Sequence, residues 1–402
     1  MSEDLDRLQM RFQRGTLVHP SRGAPGLVDL AAAFWAAAEV PGITLTPAAE
    51  QLRGRIGEAQ HLVLVVADGL GLDLLESMPA ASFLWQRLAG AVTSVFPSTT
   101  AVALSSIYTA TWPGEHGVTG HWMLGPGASG PMTVLTFSKR GDRADLRASG
   151  VEPAEVFRAQ GRLGASPRAT LFLLPERIQN GAFSEFSAGG AARAGYRSLA
   201  DGVDALLDFV RTAQGPTCSV LYTPRVDDAA HEHGPAHLEV VGAVRALDEE
   251  LRRLSVALGE AGRIVLTADH GHLPVVRGGA RVLRWDDEVG RHLRTAPTGD
   301  ARVVYFHLDR DADAEAFAGA FRERYGEQFL LLTPDEVIEA GLLGPTVSEV
   351  ARERLGDLVG ISMGADVLEF RPAGGKADPR LTLRSQHSGL TAAEMRVPVV
   401  LI

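Results

Sequence analysis

Cysteine is almost absent from this sequence of 402 residues. Its one cysteine, Cys218, lies in the apolar run 218–221, so an intrachain disulfide and a zinc site built from several cysteines are both excluded. An uncharged stretch long enough to cross a membrane is also missing, because the most apolar long segment, 27–40, contains Asp29 and Glu39. That segment therefore predicts a buried or amphipathic helix.

Positive charge is also in short supply. The chain has 39 lysines and arginines against 49 aspartates and glutamates, which gives a formal net charge of −10. This balance argues against general binding to nucleic-acid backbones or anionic lipids, although a bound cation can reverse the field at one site. Residues 1–6 are acidic and lack the apolar stretch of a secretory signal. We therefore expect a cytoplasmic protein with no membrane partner and no stable nucleic-acid complex.

The pattern of apolar runs predicts an α/β fold. Hydrophobic residues make up 45% of the chain and charged residues 22%, as in ordinary globular proteins with a sizeable core. The valine- and leucine-rich runs 61–67, 217–223 and 263–268 predict buried strands, and the stretches 198–212 and 238–258 between them predict helices. Strands that alternate with helices favour a mostly parallel central sheet flanked by helices on both faces.

The pattern changes after residue 274, which predicts an inserted subdomain. Residues 303–332 form a strand–helix–strand pattern of their own. We expect residues 275–380 to be a smaller α+β cap that shapes the pocket, and residues 1–274 and 381–402 to form the catalytic core.

An aspartate follows each of the three predicted strands. These residues are Asp68, Asp227 and Asp269. Functional groups in parallel sheets gather just beyond the carboxyl ends of the strands, so we expect the three carboxylates to lie close together. His231 is four residues after Asp227 and would share its face of a helix, and His270 directly follows Asp269.

With His387, near the C-terminus, these residues make six candidate metal ligands. Carboxylates mixed with imidazoles suit zinc, manganese or iron, whereas carboxylates alone would suit magnesium or calcium. Six ligands exceed the needs of one tetrahedral site and are about right for two metals. Two metals roughly 3.5–4 Å apart can stabilise both the attacking and the leaving oxygens of an in-line displacement.

A run of hydroxyl residues offers the nucleophile. Ser98, Thr99 and Thr100 precede a predicted apolar helix at 101–111. A helix N-terminus favours a phosphate, and direct coordination of the hydroxyl to a metal removes its proton without a separate base. Ser98 and Thr99 compete with Thr100 for this role, and any of them could simply cap the helix. Asp228 likewise competes with Asp227, although the four-residue step to His231 favours Asp227.

Taken in order, these segments resemble the alkaline phosphatase superfamily, and within it the type I phosphodiesterase/nucleotide pyrophosphatase family. The matching segments span nearly the whole chain in the order of the family. They are VVADG at 65–69, VFPSTT at 95–100, WPGEHG at 112–117, DDAAHEHGP at 227–235, ADHG at 268–271 and HSGL at 387–390.

The resemblance implies an alkaline phosphatase-like core with two zinc ions, or Mn²⁺ as the alternative. It also implies a small phosphorylated substrate such as a nucleotide, attacked to give a phosphothreonine that water then hydrolyses. The implied ligand sets are Asp227, His231 and His387 for one metal, and Asp68, Asp269, His270 and the nucleophile Thr100 for the other.

One position departs from the family pattern. The family usually has an asparagine about 21 residues after the nucleophile, which donates to a phosphate oxygen; here the residue is His121, whose charge depends on pH. We expect His121 to take over that donor role. The sequence does not decide whether His272 lines the pocket or lies at the surface, and it predicts supporting or structural roles for His116 and His233.

Hydrolysis of phosphodiesters or nucleotide pyrophosphates is the favoured function. A phosphomonoesterase must balance one more negative charge, and no arginine lies near Thr100 in sequence, although Arg225 could supply that charge in space. A phosphomonoesterase or phosphonate hydrolase on the same metals, and a non-catalytic binding protein with the same fold, remain alternatives.

Overall fold

The computed structural model describes residues 2–127, 130–141, 143–276, 279–372 and 383–402, and it confirms an α/β fold. The helices are α1 (Glu3–Gln13), α2 (Leu27–Ala37), α3 (Pro47–Ile56), α4 (Leu72–Glu76), α5 (Thr100–Thr109), α6 (Pro113–His116), α7 (Pro153–Val156), α8 (Ala182–Ala188), α9 (Leu199–Thr212), α10 (Arg225–His233), α11 (Leu238–Leu258), α12 (Ala314–Tyr325), α13 (Pro334–Glu339), α14 (Glu349–Glu353) and α15 (Ala392–Met395). The strands are β1 (His61–Ala67), β2 (Leu88–Thr93), β3 (Trp122–Leu124), β4 (Pro131–Thr133), β5 (Ser138–Lys139), β6 (Ala169–Pro175), β7 (Ala192–Tyr196), β8 (Thr217–Thr223), β9 (Gly262–Thr267), β10 (Leu273–Pro274), β11 (Ala280–Arg284), β12 (Thr298–Gly299), β13 (Val303–Phe306), β14 (Phe329–Leu332), β15 (Leu358–Ser362), β16 (Val367–Arg371), β17 (Ser385–Gln386) and β18 (Arg396–Leu401).

The first sheet has the strand order β2-β18-β9-β1-β8-β6-β7. The five strands from β9 to β7 are parallel, but β18 is antiparallel to both of its neighbours, so the sheet is mixed rather than simply parallel. The reversal has a local cause. The chain enters β18 from α15, at the edge where the parallel strands end, so β18 can only run away from that edge.

The middle of this sheet positions the three aspartates. Strand β1 lies between β8 and β9, and Val65 pairs with Leu221 on one side and Leu266 on the other. Strands β1 and β8 are buried along their whole length, which accounts for their continuous apolar sequences. Because the three strands are parallel and in register, the residues that follow them meet at one edge of the sheet.

The second sheet is antiparallel and has the order β14-β15-β13-β12-β3-β4-β5. Its first four strands come from the predicted cap, whereas the hairpin β3–β5 comes from residues 122–139, which we placed in the core. The hairpin joins the sheet through a single pair, Trp122 with Gly299. The division at 275 and 380 stays a prediction, and its C-terminal boundary lies outside the described residues.

Two short strand pairs complete the arrangement. Strand β10 pairs with β17, so that Leu273 lies opposite Gln386. This pairing brings the loop that carries His270 next to the loop that carries His387. In the part of the chain that the structure describes, no helix is both long and apolar enough to span a membrane.

Candidate metal centre

The loops that follow β1, β8 and β9 are joined by hydrogen bonds at the edge of the sheet. The backbone N–H of Asp227 donates to the carbonyl oxygen of Asp68 at 3.1 Å. The N–H of Gly69 donates to Oδ1 of Asp269 at 3.0 Å. These bonds hold the three predicted carboxylates in one cluster, as the strand-end argument requires.

One predicted ligand set gathers around Asp227. On α10, Nε2 of His231 lies 3.3 Å from Oδ1 of Asp227, as the four-residue spacing suggested, and Nε2 of His387 lies 4.0 Å from the same oxygen. The other ring nitrogens face carbonyl oxygens: Nδ1 of His231 donates to Ser385 at 2.8 Å, and Nδ1 of His387 to Ser98 at 3.1 Å. Since Nδ1 carries the proton in each neutral ring, the lone pair of Nε2 faces the centre, where a metal would bind.

The other predicted set has the same design. Nε2 of His270 lies 3.4 Å from Oδ1 of Asp68 and 3.5 Å from Oδ2 of Asp269. Its Nδ1 donates to the carbonyl oxygen of Gly271 at 3.1 Å, so Nε2 of the neutral ring is unprotonated and carries a lone pair. The hydroxyl oxygen of Thr100 is 3.2 Å from this Nε2. The candidate nucleophile therefore lies directly against this set.

The two sets fit divalent metal ions. In each, the candidate ligand atoms lie within 4.8 Å of one another. Oδ1 of Asp68, Oδ1 of Asp227 and Oδ2 of Asp269 are buried and have no hydrogen-bond partner among the described residues. Buried carboxylate oxygens are strongly destabilising unless they are paired or bind a metal. Together with the three lone-pair nitrogens of His231, His270 and His387, they suit zinc or manganese better than magnesium or calcium.

The carboxylates differ in their affinity for protons. Burial, reinforced by the negative charges of Asp269 and Asp227, raises the pKa of Asp68 well above its usual range. Burial also raises the pKa of Asp269 to about 7. Burial disfavours the charged form of Asp227 as well, but His231 and His272 outweigh it and hold the pKa of Asp227 well below its usual value. Metal binding at the Asp68 and Asp269 side must therefore displace protons near neutral pH.

The competing hydroxyls point elsewhere. Oγ of Ser98 donates to the carbonyl oxygen of Gly389 at 2.8 Å, and Oγ1 of Thr99 donates to Oδ2 of Asp300 at 2.8 Å. Thr100 is the first residue of α5, and its hydroxyl faces His270. This arrangement supports Thr100 over its two neighbours as the nucleophile.

The structure also gives the positions of Asp228, the alternative ligand to Asp227, and of His121, the predicted phosphate donor. The side chain of Asp228 is about half exposed and approaches Arg177 at 3.7 Å, whereas that of Asp227 faces His231 and His272. His121 lies at the start of the second sheet, where its ring packs edge-on against Trp122 at 5.1 Å. The role of His121 as a donor to phosphate stays a prediction.

His116 and His233 lie apart from the two ligand sets. His116 is buried, and its ring nitrogens contact Oγ of Ser106 at 3.0 Å and the N–H of Val118 at 3.1 Å. His233 stacks on His237 with ring centroids 4.8 Å apart. These contacts agree with the structural roles expected from the sequence.

The structure adds two residues to the centre: His272, which the sequence left undecided, and Tyr222, which it did not indicate. His272 is buried, with Nε2 3.1 Å from Oδ1 of Asp227 and Nδ1 3.0 Å from Oγ of Ser385. The hydroxyl of Tyr222 donates to Oδ2 of Asp68 at 2.5 Å, which leaves Oδ1 to face the centre. The two-residue step from His270 was a signal for His272. Tyr222 showed none, because it lies inside a uniformly apolar strand.

Glycine at position 69 makes the approach of His272 possible. Gly69 has a φ of +72°, and a Cβ there would lie 2.5 Å from Nε2 of His272 and 2.9 Å from Cα of Asp227. Any side chain would therefore push the imidazole away from the carboxylate.

We expect His272→Ala to weaken zinc binding by about 10- to 100-fold, because Asp227 loses a neighbour that fixes its carboxylate. Competition with a chromophoric chelator measures this affinity. The matched control is His307→Ala, which removes another buried imidazole, one that contacts Oγ1 of Thr298 at 2.7 Å in the second sheet. Equal zinc affinities in both variants and the wild type would contradict a role for His272 at the centre.

Fold and site together define an α/β protein with a candidate dinuclear metal centre beside a threonine at a helix N-terminus. The sequence pattern of the type I phosphodiesterase/nucleotide pyrophosphatase family matches residues 62–362. The chain belongs to this family, and hence to the alkaline phosphatase superfamily, as the sequence resemblance predicted. Family membership indicates a phosphoester hydrolase. Among curated proteins, none matches the chain.

Solved structures show the same fold at low sequence identity. Human ectonucleotide pyrophosphatase/phosphodiesterase 5 superimposes with a TM-score of 0.64 at 15% identity, over 85% of this chain and 87% of its own. The murine protein gives 0.59 at 16% identity, over 84% and 87%. Phosphonoacetate hydrolase from Sinorhizobium meliloti 1021, in complex with phosphonoacetate, gives 0.60 at 19% identity, over 84% and 89%.

Proposed function

We propose that the protein is a phosphodiesterase or nucleotide pyrophosphatase that uses two zinc ions and forms a phosphothreonine at Thr100. The observation that carries the proposal is the position of the Thr100 hydroxyl, 3.2 Å from Nε2 of His270 and at the first turn of α5. A nucleophile for phosphorus is most useful where a ligand set and the N–H groups of a helix N-terminus face the same point.

In this proposal, the carboxylates and imidazoles bind the metals, and Thr100 attacks the substrate. Bound at these sets, zinc would lower the pKa of the attacking hydroxyl and neutralise charge on the phosphoryl oxygens. The Thr100 oxygen forms the new bond to phosphorus, and the leaving group departs with the electron pair of the broken P–O bond. Water later displaces the Thr100 oxygen, which restores the enzyme. The sets that would hold the metals are Asp227, His231 and His387, and Asp68, Asp269 and His270 together with Thr100.

Two similar proteins bear on the substrate. An inactive threonine-to-alanine variant of the murine ectonucleotide pyrophosphatase/phosphodiesterase 5 was solved in complex with AMP, which favours a nucleotide here. Phosphonoacetate hydrolase has a comparable fold similarity, which makes phosphonate hydrolysis the second candidate. Arg225, which could have balanced the extra charge of a monoester, is exposed and lies in the same cleft as Asp228. Its position disfavours a phosphomonoesterase.

A substrate panel with defined metals tests the proposal. Metal-stripped protein is reloaded with zinc, manganese or magnesium and given a nitrophenyl phosphodiester, the matching monoester, a nitrophenyl nucleotide ester and phosphonoacetate. We expect kcat/KM for the diesters to exceed that for the monoester by about 100-fold, or ~2.7 kcal/mol of transition-state stabilisation, and only with zinc or manganese.

Each other outcome selects an alternative. A preference for the monoester or for phosphonoacetate would replace the proposed substrate class. Tight zinc binding without hydrolysis of any compound would identify a non-catalytic binding protein.

A further inference from the structure

A buried ion pair joins the second sheet to the metal centre. Arg302, just before β13, is 1% exposed, and Glu394, in α15, is fully buried. The pair is bidentate: Nε of Arg302 lies 2.7 Å from Oε1 of Glu394, and Nη2 lies 3.0 Å from Oε2. Two charges removed from water in this way are stable only when their geometry and remaining hydrogen bonds are well satisfied.

Glu394 holds both loops that carry the candidate histidine ligands. Its Oε1 accepts the N–H of Gly389, two residues after His387, at 2.8 Å. Its backbone carbonyl oxygen accepts the N–H of Gly271, directly after His270, at 2.9 Å. One residue therefore sets the separation of two loops that belong to different metal sets.

The same segment of the second sheet also holds the nucleophile loop. Two residues before Arg302, the buried carboxylate of Asp300 accepts the hydroxyl of Thr99, the neighbour of Thr100, at 2.8 Å. Segment 300–302 therefore contacts the surroundings of the centre at two points: Asp300 accepts from Thr99, and Arg302 pairs with Glu394.

The loop held by Glu394 needs such support. Ser388 has a φ of 99°, a left-handed conformation that is costly for a residue with a side chain. The next residue has no room for a side chain, because a Cβ on Gly389 would lie 2.9 Å from Oε2 of Glu394 and 3.0 Å from Nη2 of Arg302. A strained backbone of this kind persists only where its surroundings hold it in place.

We propose that Asp300 and Arg302 are positioning residues for catalysis: through Thr99 and Glu394, they fix the distance between the Thr100 nucleophile and the metal set that contains His387. The inference rests on the proposed function, since it concerns the same centre. It adds that the second sheet, which contributes none of the predicted metal ligands, holds the reacting groups in register.

The chain offers a matched control for a purely structural ion pair. Asp4, also buried, accepts from Nε of Arg322 at 2.9 Å and from Nη1 of Arg7 at 2.8 Å, where α1 packs on β14. Asp4→Asn should lower the unfolding midpoint and leave the centre unchanged. Glu394→Gln should lower the midpoint similarly and also disturb the centre.

The test combines unfolding midpoints, zinc affinity and steady-state kinetics. For Glu394→Gln we expect a 10- to 100-fold loss of zinc affinity, with ~10-fold or more lost in kcat and little change in KM. For Asp300→Ala we expect about a 10-fold loss of kcat with zinc affinity retained, and recovery in Asp300→Asn, whose amide oxygen still accepts the Thr99 hydroxyl. In the zinc-loaded protein, the ring ¹⁵N signals of His387 should shift in Glu394→Gln and stay in place in Asp4→Asn.

The inference is overturned if Glu394→Gln and Asp300→Ala change only the midpoint, as Asp4→Asn does. Should Glu394→Gln fail to fold, the Asp300→Ala and Asp300→Asn pair decides alone, because it requires a loss of kcat and its rescue. A wild type that neither binds zinc nor hydrolyses any ester would overturn the proposed function and this inference together. An active wild type with unaffected variants would overturn this inference only.

Discussion

Thr100→Ala is expected to abolish hydrolysis, with a loss in kcat of at least about 10³-fold, while zinc binding remains. The hydroxyl oxygen lies 3.2 Å from Nε2 of His270, and its loss removes the group that would form the bond to phosphorus. The carboxylate and imidazole ligands stay in place, so the two metals should still bind. Rates on the preferred diester and a zinc titration measure the two properties separately.

Thr100→Ser is the control for this prediction. It keeps a hydroxyl at the first residue of α5 and should retain turnover within about 10-fold of the wild type. Rapid acid quenching followed by peptide mass spectrometry should find a phosphorylated residue 100 in the wild type and in Thr100→Ser, but not in Thr100→Ala. Wild-type rates in Thr100→Ala would remove the threonine from the mechanism.

The strand-end aspartates were predictable because their cause is local. Strands β1 and β8 have the bounds 61–67 and 217–223 that the apolar runs predicted, and the change to polar residues after each run marks where the strand ends. Once the strands are taken as parallel neighbours, the clustering of Asp68, Asp227 and Asp269 follows from the geometry of the sheet. The histidine at position 231 follows in the same way from helix periodicity.

The composition of the second sheet was not predictable on these grounds. Strands β3, β4 and β5 are two or three residues long, too short to show an alternating pattern, and they join β12 from far away in sequence. The direction of β18 was equally hidden, because an apolar run indicates a buried strand but not its orientation. Both features depend on contacts between distant parts of the chain.

The residues that support the centre could not be predicted from the sequence for a related reason. Tyr222 and Glu394 act through hydrogen bonds to Asp68 and to the loop after His387. Their sequence neighbours are those of an ordinary core strand and an ordinary short helix. Only the folded chain shows which carboxylate or backbone group each one faces.

Asp269→Asn is expected to make the metal-free protein more stable and to inactivate the enzyme. The asparagine oxygen can still accept the N–H groups of Gly69 and His270, which both lie 3.0 Å from Oδ1. The amide nitrogen would replace Oδ2, the oxygen that lacks a partner among the described residues and faces His270 at 3.5 Å. The change removes a buried carboxylate that would carry a charge above about pH 7, but it also removes a ligand. We expect zinc affinity at this set to fall by more than about 100-fold and kcat by at least about 10³-fold.

The pH dependence of stability shows whether the variant is more stable because it lacks a buried carboxylate or because its packing has changed. In the metal-free wild type, the pKa of Asp269 is about 7, against ~3.9 in an unfolded chain. Between these values the folded state binds a proton that the unfolded state does not, so the free energy of unfolding must fall as pH rises through this window. The raised pKa of Asp68 acts in the same direction. Asp269→Asn cannot titrate and should show a shallower fall.

Zinc should reverse this dependence. Because metal binding releases the proton from Asp269, zinc affinity of the wild type should rise with pH across the same window. Zinc at 100 times its dissociation constant adds ~2.7 kcal/mol to the stability of the wild type, and the variant should gain clearly less. Unfolding midpoints of both proteins at about pH 5 and about pH 8, with and without zinc, measure the pH dependence of stability and the stabilisation by zinc in each protein. If the metal-free variant were less stable than the wild type at about pH 8, where the wild type must hold a charged Asp269 in a buried site, burial of that charge would not be what raises its pKa.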